Sequence, residues 1–207
     1  MKITLICCFL ILSVHYSGQN YNKLIDKGKY SKVYKKCKKG LSKKPKDVVL
    51  NYYKATVQSK RGAKSLYDPK ESYRLSIETK KNFLNETDFE KLEEYSKIPL
   101  SISTFLNLID TISRNALQDV SGINSVRSYN GYLSYYKEAP QRYINKAILK
   151  RNIVAFKEAK EKNTLESFQY FIDTYPDAVQ FNKAIELRNE VAFTAAKKEN
   201  TVNSYQY

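Results

Sequence analysis

The sequence predicts an all-α fold, a right-handed solenoid of helical hairpins, and three observations predict it. Only 6 Gly and 5 Pro occur in 207 residues, too few breakers for a protein of many short strands and turns. Apolar residues in the C-terminal half recur at i, i+3, i+4 and i+7, the spacing of a helix with one buried stripe. That half also repeats itself at a fixed offset, the mark of stacked structural units. With 42% hydrophobic and 28% charged residues, the balance is globular and excludes disorder along the whole chain.

The first element is an address. Lys2 supplies a positive start, Ile3 to Val14 form an apolar run, and His15-Tyr16-Ser17-Gly18 lead into polar Gln19-Asn20. This is the shape of a signal peptide over residues 1–18, too short for an ordinary membrane span. Cleavage is expected, with export to the periplasm, the outer membrane's surroundings or the medium; an uncleaved N-terminal anchor is the alternative. Cys7, Cys8 and His15, the sole histidine, would leave with it, and Cys37 would remain as the last cysteine. No disulfide, histidine base, Cys–His pair or His/Cys metal cluster is then available. The expectation is a non-enzymatic chain with no catalytic residues, no cofactor and no metal.

Residues 19–84 read as lysine-rich helical hairpins. Asp47-Val48-Val49-Leu50-Asn51-Tyr52-Tyr53-Lys54-Ala55 begins the next unit, and a further helix is expected from about Pro69 to Leu84, with proline in its first turn. Basic residues outnumber acidic ones 15 to 2 between 19 and 64, against 7 to 10 over 65–123 and 13 to 9 over 124–207. The excess is densest at Lys35, Lys36, Lys38, Lys39, Lys43, Lys44 and Lys46. Such a patch suits an anionic lipid, an anionic envelope polymer or an acidic protein, or else it is a solvated helix face without a partner. Nucleic acid is a poor partner for an exported chain, and no base-reading motif accompanies the lysines.

Residues 85–115 form a helical connector. Phe89 to Tyr95 read as a short acidic helix, Ile98-Pro99 as its break, and Ser101 or Ser103 as the cap of a helix through Phe105, Leu106, Ile109 and Ile112.

Residues 116–207 are expected to be tandem helical hairpins of 37–39 residues. Ala155-Phe156-Lys157-Glu158-Ala159 returns as Ala192-Phe193-Thr194-Ala195-Ala196, and Asn163-Thr164 as Asn200-Thr201, 37 residues on. The match extends from Ser167-Phe168-Gln169-Tyr170 to Ser204-Tyr205-Gln206-Tyr207. An earlier copy begins at Ala116; its Ser128-Tyr129, Tyr132-Leu133 and Tyr136 precede Ser167-Phe168, Phe171-Ile172 and Tyr175 by 39. The shorter helix of a unit carries Phe168, Phe171, Ile172 and Tyr175 on one stripe and ends at Tyr175-Pro176. The longer one carries Phe181, Ala184, Ile185, Val191, Ala192 and Ala195, and Asn163-Thr164 marks a stop and a new cap. A lone hairpin cannot bury both stripes, so the units must stack. Tyr207 falls inside the third unit, and an accessory arm of a longer protein is therefore a further expectation.

Two stretches resemble a known family. Gly28-Lys29-Tyr30, Val33, Cys37, Gly40-Leu41 and Pro45 fall where a tetratricopeptide repeat places its glycine, aromatic, small residues and closing proline, although Val33, Cys37 and Gly40 depart from the usual residues there. Phe171-Ile172-Asp173-Thr174-Tyr175-Pro176-Asp177-Ala178, followed by Ala184, resembles the signature of tetratricopeptide-like proteins of the bacterial envelope, and the chain as a whole resembles exported repeat proteins of Bacteroidetes. The resemblance implies a scaffold or adaptor that binds a protein or peptide partner on a concave groove.

Candidate binding residues are Arg151-Asn152 and Arg188-Asn189, which recur on the longer helices. Repeated guanidiniums suit a partner's carboxylates; bonds to carbonyls at a neighbouring helix end would make them inter-repeat spacers instead. Cys37 is expected to be an inert small hydrophobe, with activation by the adjacent lysines as its alternative.

Overall fold

The structure is a computed structural model that describes residues 20–98 and 100–200. The expected signal peptide and the Ser204–Tyr207 echo lie outside them. Among the described residues the chain is all-helical, without a strand. It divides into two compact units, one reaching Ala116 and one starting at Leu117.

In the first unit, helix α1 covers residues 20–26 and turns into α2 (Tyr30–Leu41) through Gly28, whose φ of +66° is the left-handed region that favours glycine. Then follow α3 (Val48–Gln58), a short 3₁₀ segment (Arg61–Leu66), α4 (Pro69–Leu84), α5 (Phe89–Lys97) and the start of α6 (Ile102–Ile123). Consecutive helices pack on each other, α2 on α3 and α3 on α4. Asp47 caps α3 by accepting from the Leu50 N–H at 2.9 Å, and Asp68 caps α4 through Glu71 N–H, with Pro69 in the first turn as its rigid φ allows. The core gathers Val33, Cys37, Val49, Tyr53, Val57 and Phe105. On α4 the hydroxylic Ser72, Ser76 and Thr79 are buried beside Tyr73 and Leu75, and Ser72 Oγ donates to the Ala55 carbonyl of α3 at 2.7 Å. The end of α3 and the start of the 3₁₀ segment are tied to α6 by one exchange: Arg61 donates to the Asn115 carbonyl and Asn115 Nδ2 to the Ser59 carbonyl.

In the second unit α6 ends at Ile123, and α7 (Val126–Tyr135), α8 (Gln141–Lys162), α9 (Leu165–Thr174) and α10 (Phe181–Glu199) follow, each packed on the next. Phe168, Phe171, Ile172 and Tyr175 are all buried, as the stripe spacing requires, and α9 stops at Thr174 ahead of Tyr175-Pro176. Local detail recurs. Asn124 and Asn163 take the left-handed conformation that ends α6 and α8, as Asn200 does for α10. Ser125 and Thr164 then cap α7 and α9 in reciprocal boxes with Ser128 and Ser167. The same two serines reach back to the preceding helix, Ser128 Oγ to the Val120 carbonyl at 3.2 Å and Ser167 Oγ to the Ala159 carbonyl at 3.0 Å.

Because the boxes are alike, Ser125→Ala and Thr164→Ala should each cost about 1 kcal/mol. Urea denaturation followed by helical circular dichroism measures this; a loss at one cap and none at the other would show that the two settings differ energetically.

Candidate functional site

Arg151 stands on α8 and Arg188 on α10, and each is held in the same way. Arg151 donates through Nε and Nη2 to Asn152 Oδ1 at 3.1 and 3.0 Å; Arg188 does so to Asn189 Oδ1 at 3.2 and 2.9 Å. The third bond crosses to the partner helix of the pair: Arg151 Nη1 reaches Asn130 Oδ1 of α7 at 3.4 Å, and Arg188 Nη1 reaches Gln169 Oε1 of α9 at 2.7 Å. The acceptors are thus side-chain amides, where the spacer reading expected helix-end carbonyls. Asn130 and Gln169 are 39 residues apart, the offset that relates α7 to α9, yet they differ in residue type, so the sequence comparison passes over them. Arg151 gains a further support, with its guanidinium carbon 4.9 Å from the Tyr175 ring centre.

Both guanidiniums are half-buried, and neither has a carboxylate within ion-pair distance among the described residues. Neutral amides orient them without cancelling their charge. A guanidinium has five N–H groups, and among the described residues three are engaged in each case and two are not.

The surroundings of the two sites diverge outside the shared bonds. On α8, Asn152, Ala155 and Ala159 are buried. On α10 the equivalent Asn189 is exposed and Ala192 only half-buried, and Ala195, expected among the apolar residues of the longer helix, is exposed. Phe156 packs its ring 5.3 Å from Phe171, whereas its equivalent Phe193 is 62% exposed.

The basic candidates Lys35, Lys36, Lys38, Lys39, Lys43, Lys44 and Lys46 lie on α2 and the turn after it, all exposed and none in an ion pair among the described residues. Lys44 and Lys46 also border a cleft of about 600 Å³ whose other polar walls are Asp47, Glu86, Lys91 and Glu94. Its charges are of both signs. Glu86 accepts from the backbone of Asp88 and Thr87 and from Lys91, and those bonds, the Asp88 N–H foremost, hold its carboxyl below the usual range. Burial, followed by the charge of Glu86, raises the Tyr95 phenol beside it. Cys37 is fully buried between α2 and α3, and burial pushes its thiol up to about 12, with Asp47 adding to the shift and Lys54 opposing it. The alternative of lysine activation fails there: the lysines of α2 point to solvent, and the thiol is kept protonated.

Among the described residues no helix is long and apolar enough to cross a membrane. Comparison of the chain with protein-family models, curated proteins and solved structures finds no match. The class defined so far is an all-helical protein of sequentially packed helices.

Proposed function

We propose that the chain is a non-catalytic scaffold of the cell exterior, a right-handed tetratricopeptide-like stack that binds a carboxylate-bearing segment of a partner protein along α8 and α10. The observation that carries this reading is the paired setting of Arg151 and Arg188. Each is fixed by amide oxygens in the same geometry, and each keeps its charge and two donors for a partner. Charge-assisted hydrogen bonds to a fixed guanidinium are among the stronger polar contacts. Two such groups on successive long helices suit an extended segment with spaced acidic side chains, or one that ends in its own carboxylate.

The recurrent capping boxes and left-handed asparagines support the stacked-unit part of the reading, and the apolar stretch Ile3–Val14 supports export. Cleavage after residue 18, the division into 19–84, 85–115 and 116–207, and the family resemblance belong to the same proposal.

A panel of short acidic peptides, with free and amidated C-termini, tests it by fluorescence anisotropy. Arg151→Gln and Arg188→Gln should each weaken the best binder about tenfold, following the worth of a charged hydrogen bond. Lys183→Gln should leave it unchanged, since Lys183 already pairs with Glu186 at 2.7 Å. Failure of every peptide to bind, or affinity indifferent to both arginine substitutions in a protein of unaltered helicity, would refute the reading.

A further inference from the structure

Charge is handled differently on α2 than on α4, α5 and α10. Four cations on other helices meet carboxylates three or four residues away: Arg74 with Glu71 and Glu78, Lys97 with Glu93, Lys157 with Glu161, Lys183 with Glu186. On α2, Lys32, Lys35, Lys36 and Lys39 recur at i, i+3, i+4 and i+7, and Lys43 follows in the next turn. All five are exposed, and none has a carboxylate at ion-pair distance among the described residues. Lys36 has an aromatic neighbour, its ammonium 6.0 Å from the Tyr21 ring centre. Like charges at these spacings destabilise a helix by a few tenths of a kcal/mol per pair. A face that served only solubility would mix both signs, as α4, α5 and α10 do.

The geometry of the face indicates what it meets. At about 100° per residue the four helical lysines fall within roughly 100° of the circumference, turned away from buried Val33 and Cys37. Side chains spread over such an arc differ in height by only about 2–3 Å, well inside a Debye length of about 8 Å. A flat surface therefore engages all of them together along a helix of 12 residues. No large apolar side chain is exposed on α2, so there is no wedge for insertion and attraction rests on charge. We propose that this face docks flat on an anionic lipid surface, with its lysines at the phosphate headgroups. The site is separate from the arginine pair and does not depend on it.

The test uses the full chain with phosphatidylcholine vesicles made with and without one third phosphatidylglycerol. The apolar stretch Ile3–Val14 is able to enter both kinds of vesicle, so the quantity read is the difference between them. Binding should favour the anionic vesicles and fall as salt is added. Each lysine near the surface contributes about fivefold in partitioning, so Lys35→Gln with Lys39→Gln should lower it about 25-fold. Lys146→Gln with Lys197→Gln, which removes the same net charge, should change it less than about twofold on the same basis. Circular dichroism confirms that both variants keep their helicity, and the salt titration of the unaltered chain stands independently of them. Equal binding to the two vesicle types, or equal losses from the two lysine pairs, would overturn the proposal. So would tighter binding to soluble polyphosphate than to phosphatidylglycerol at matched charge, which would assign the face to a linear polymer.

Discussion

Replacing Phe168 by alanine should lower the stability of the C-terminal unit by about 3–5 kcal/mol, the usual range for emptying a buried phenylalanine site. Phe168 is fully buried on α9, at the centre of a cluster with Phe171, Ala155, Ala159 and Ala184. The long helices on either side present alanines there, so the ring fills the space those small side chains leave. Truncation opens a cavity between backbones already tied by helix-to-helix bonds such as Ser167 Oγ to the Ala159 carbonyl, and tied helices collapse poorly into a void. The matched control is Phe193→Ala. Phe193 repeats Phe156 in sequence but is 62% exposed, so the loss there should stay within about 0.5 kcal/mol. Urea denaturation followed at the helical dichroism band measures both. Equal losses at the two sites would contradict the burial assigned to them.

The second large effect is alkaline. The Cys37 thiol is pushed up to about 12 by burial in the folded chain, whereas an unfolded cysteine titrates near 8.5. The folded state therefore holds its proton more tightly than the unfolded state. The resulting stability is fully present below the unfolded value and is lost as pH rises toward the folded one. Each pH unit in that window removes about 1.4 kcal/mol for a single group, or about 2–3 kcal/mol between pH 9 and pH 11. Burial likewise raises Tyr52, Tyr53 and Tyr95, which steepens the fall above the ordinary tyrosine value. Stability should be flat from neutrality to the unfolded thiol value and then decline steeply. Cys37→Ala loses packing at every pH but should decline less above pH 9. Parallel curves for the two proteins would show that the thiol does not set the slope.

Much of the helical framework was legible in the chain. Pro69 and Leu84 bound α4 as expected, because proline fits a first turn and the stripe runs out at Leu84. The break at Tyr175-Pro176, the stop at Asn163 and the cap at Thr164 follow from local backbone chemistry that needs no distant partner. The short acidic helix was expected at Phe89 to Tyr95 and extends to Lys97. The long helix expected from Ser101 or Ser103 runs unbroken to Ile123, through Ala116, since nothing in that stretch interrupts the backbone ladder.

The candidate site was only half legible. Recurrence singled out Arg151, Asn152, Arg188 and Asn189, but not the groups that orient the guanidiniums. Asn130, Gln169 and the Tyr175 ring come from other helices, and an acceptor needs only an oxygen in the right place, which asparagine and glutamine both supply. Cys37 shows the same limit. Its lysine neighbours in sequence suggest a lowered thiol value, while the helical turn sends them to solvent and the thiol into the core.

From the sequence alone come the helices, their ends and the offset at which they recur, because periodicity, capping and proline geometry act within a few residues. Only the tertiary structure decides which copies of a repeated residue are covered. Asn152 and Asn189, or Phe156 and Phe193, hold equivalent places in the repeat and differ in burial, because α9 packs on α8, whereas the residues that would repeat α9 after α10 lie outside the described ones.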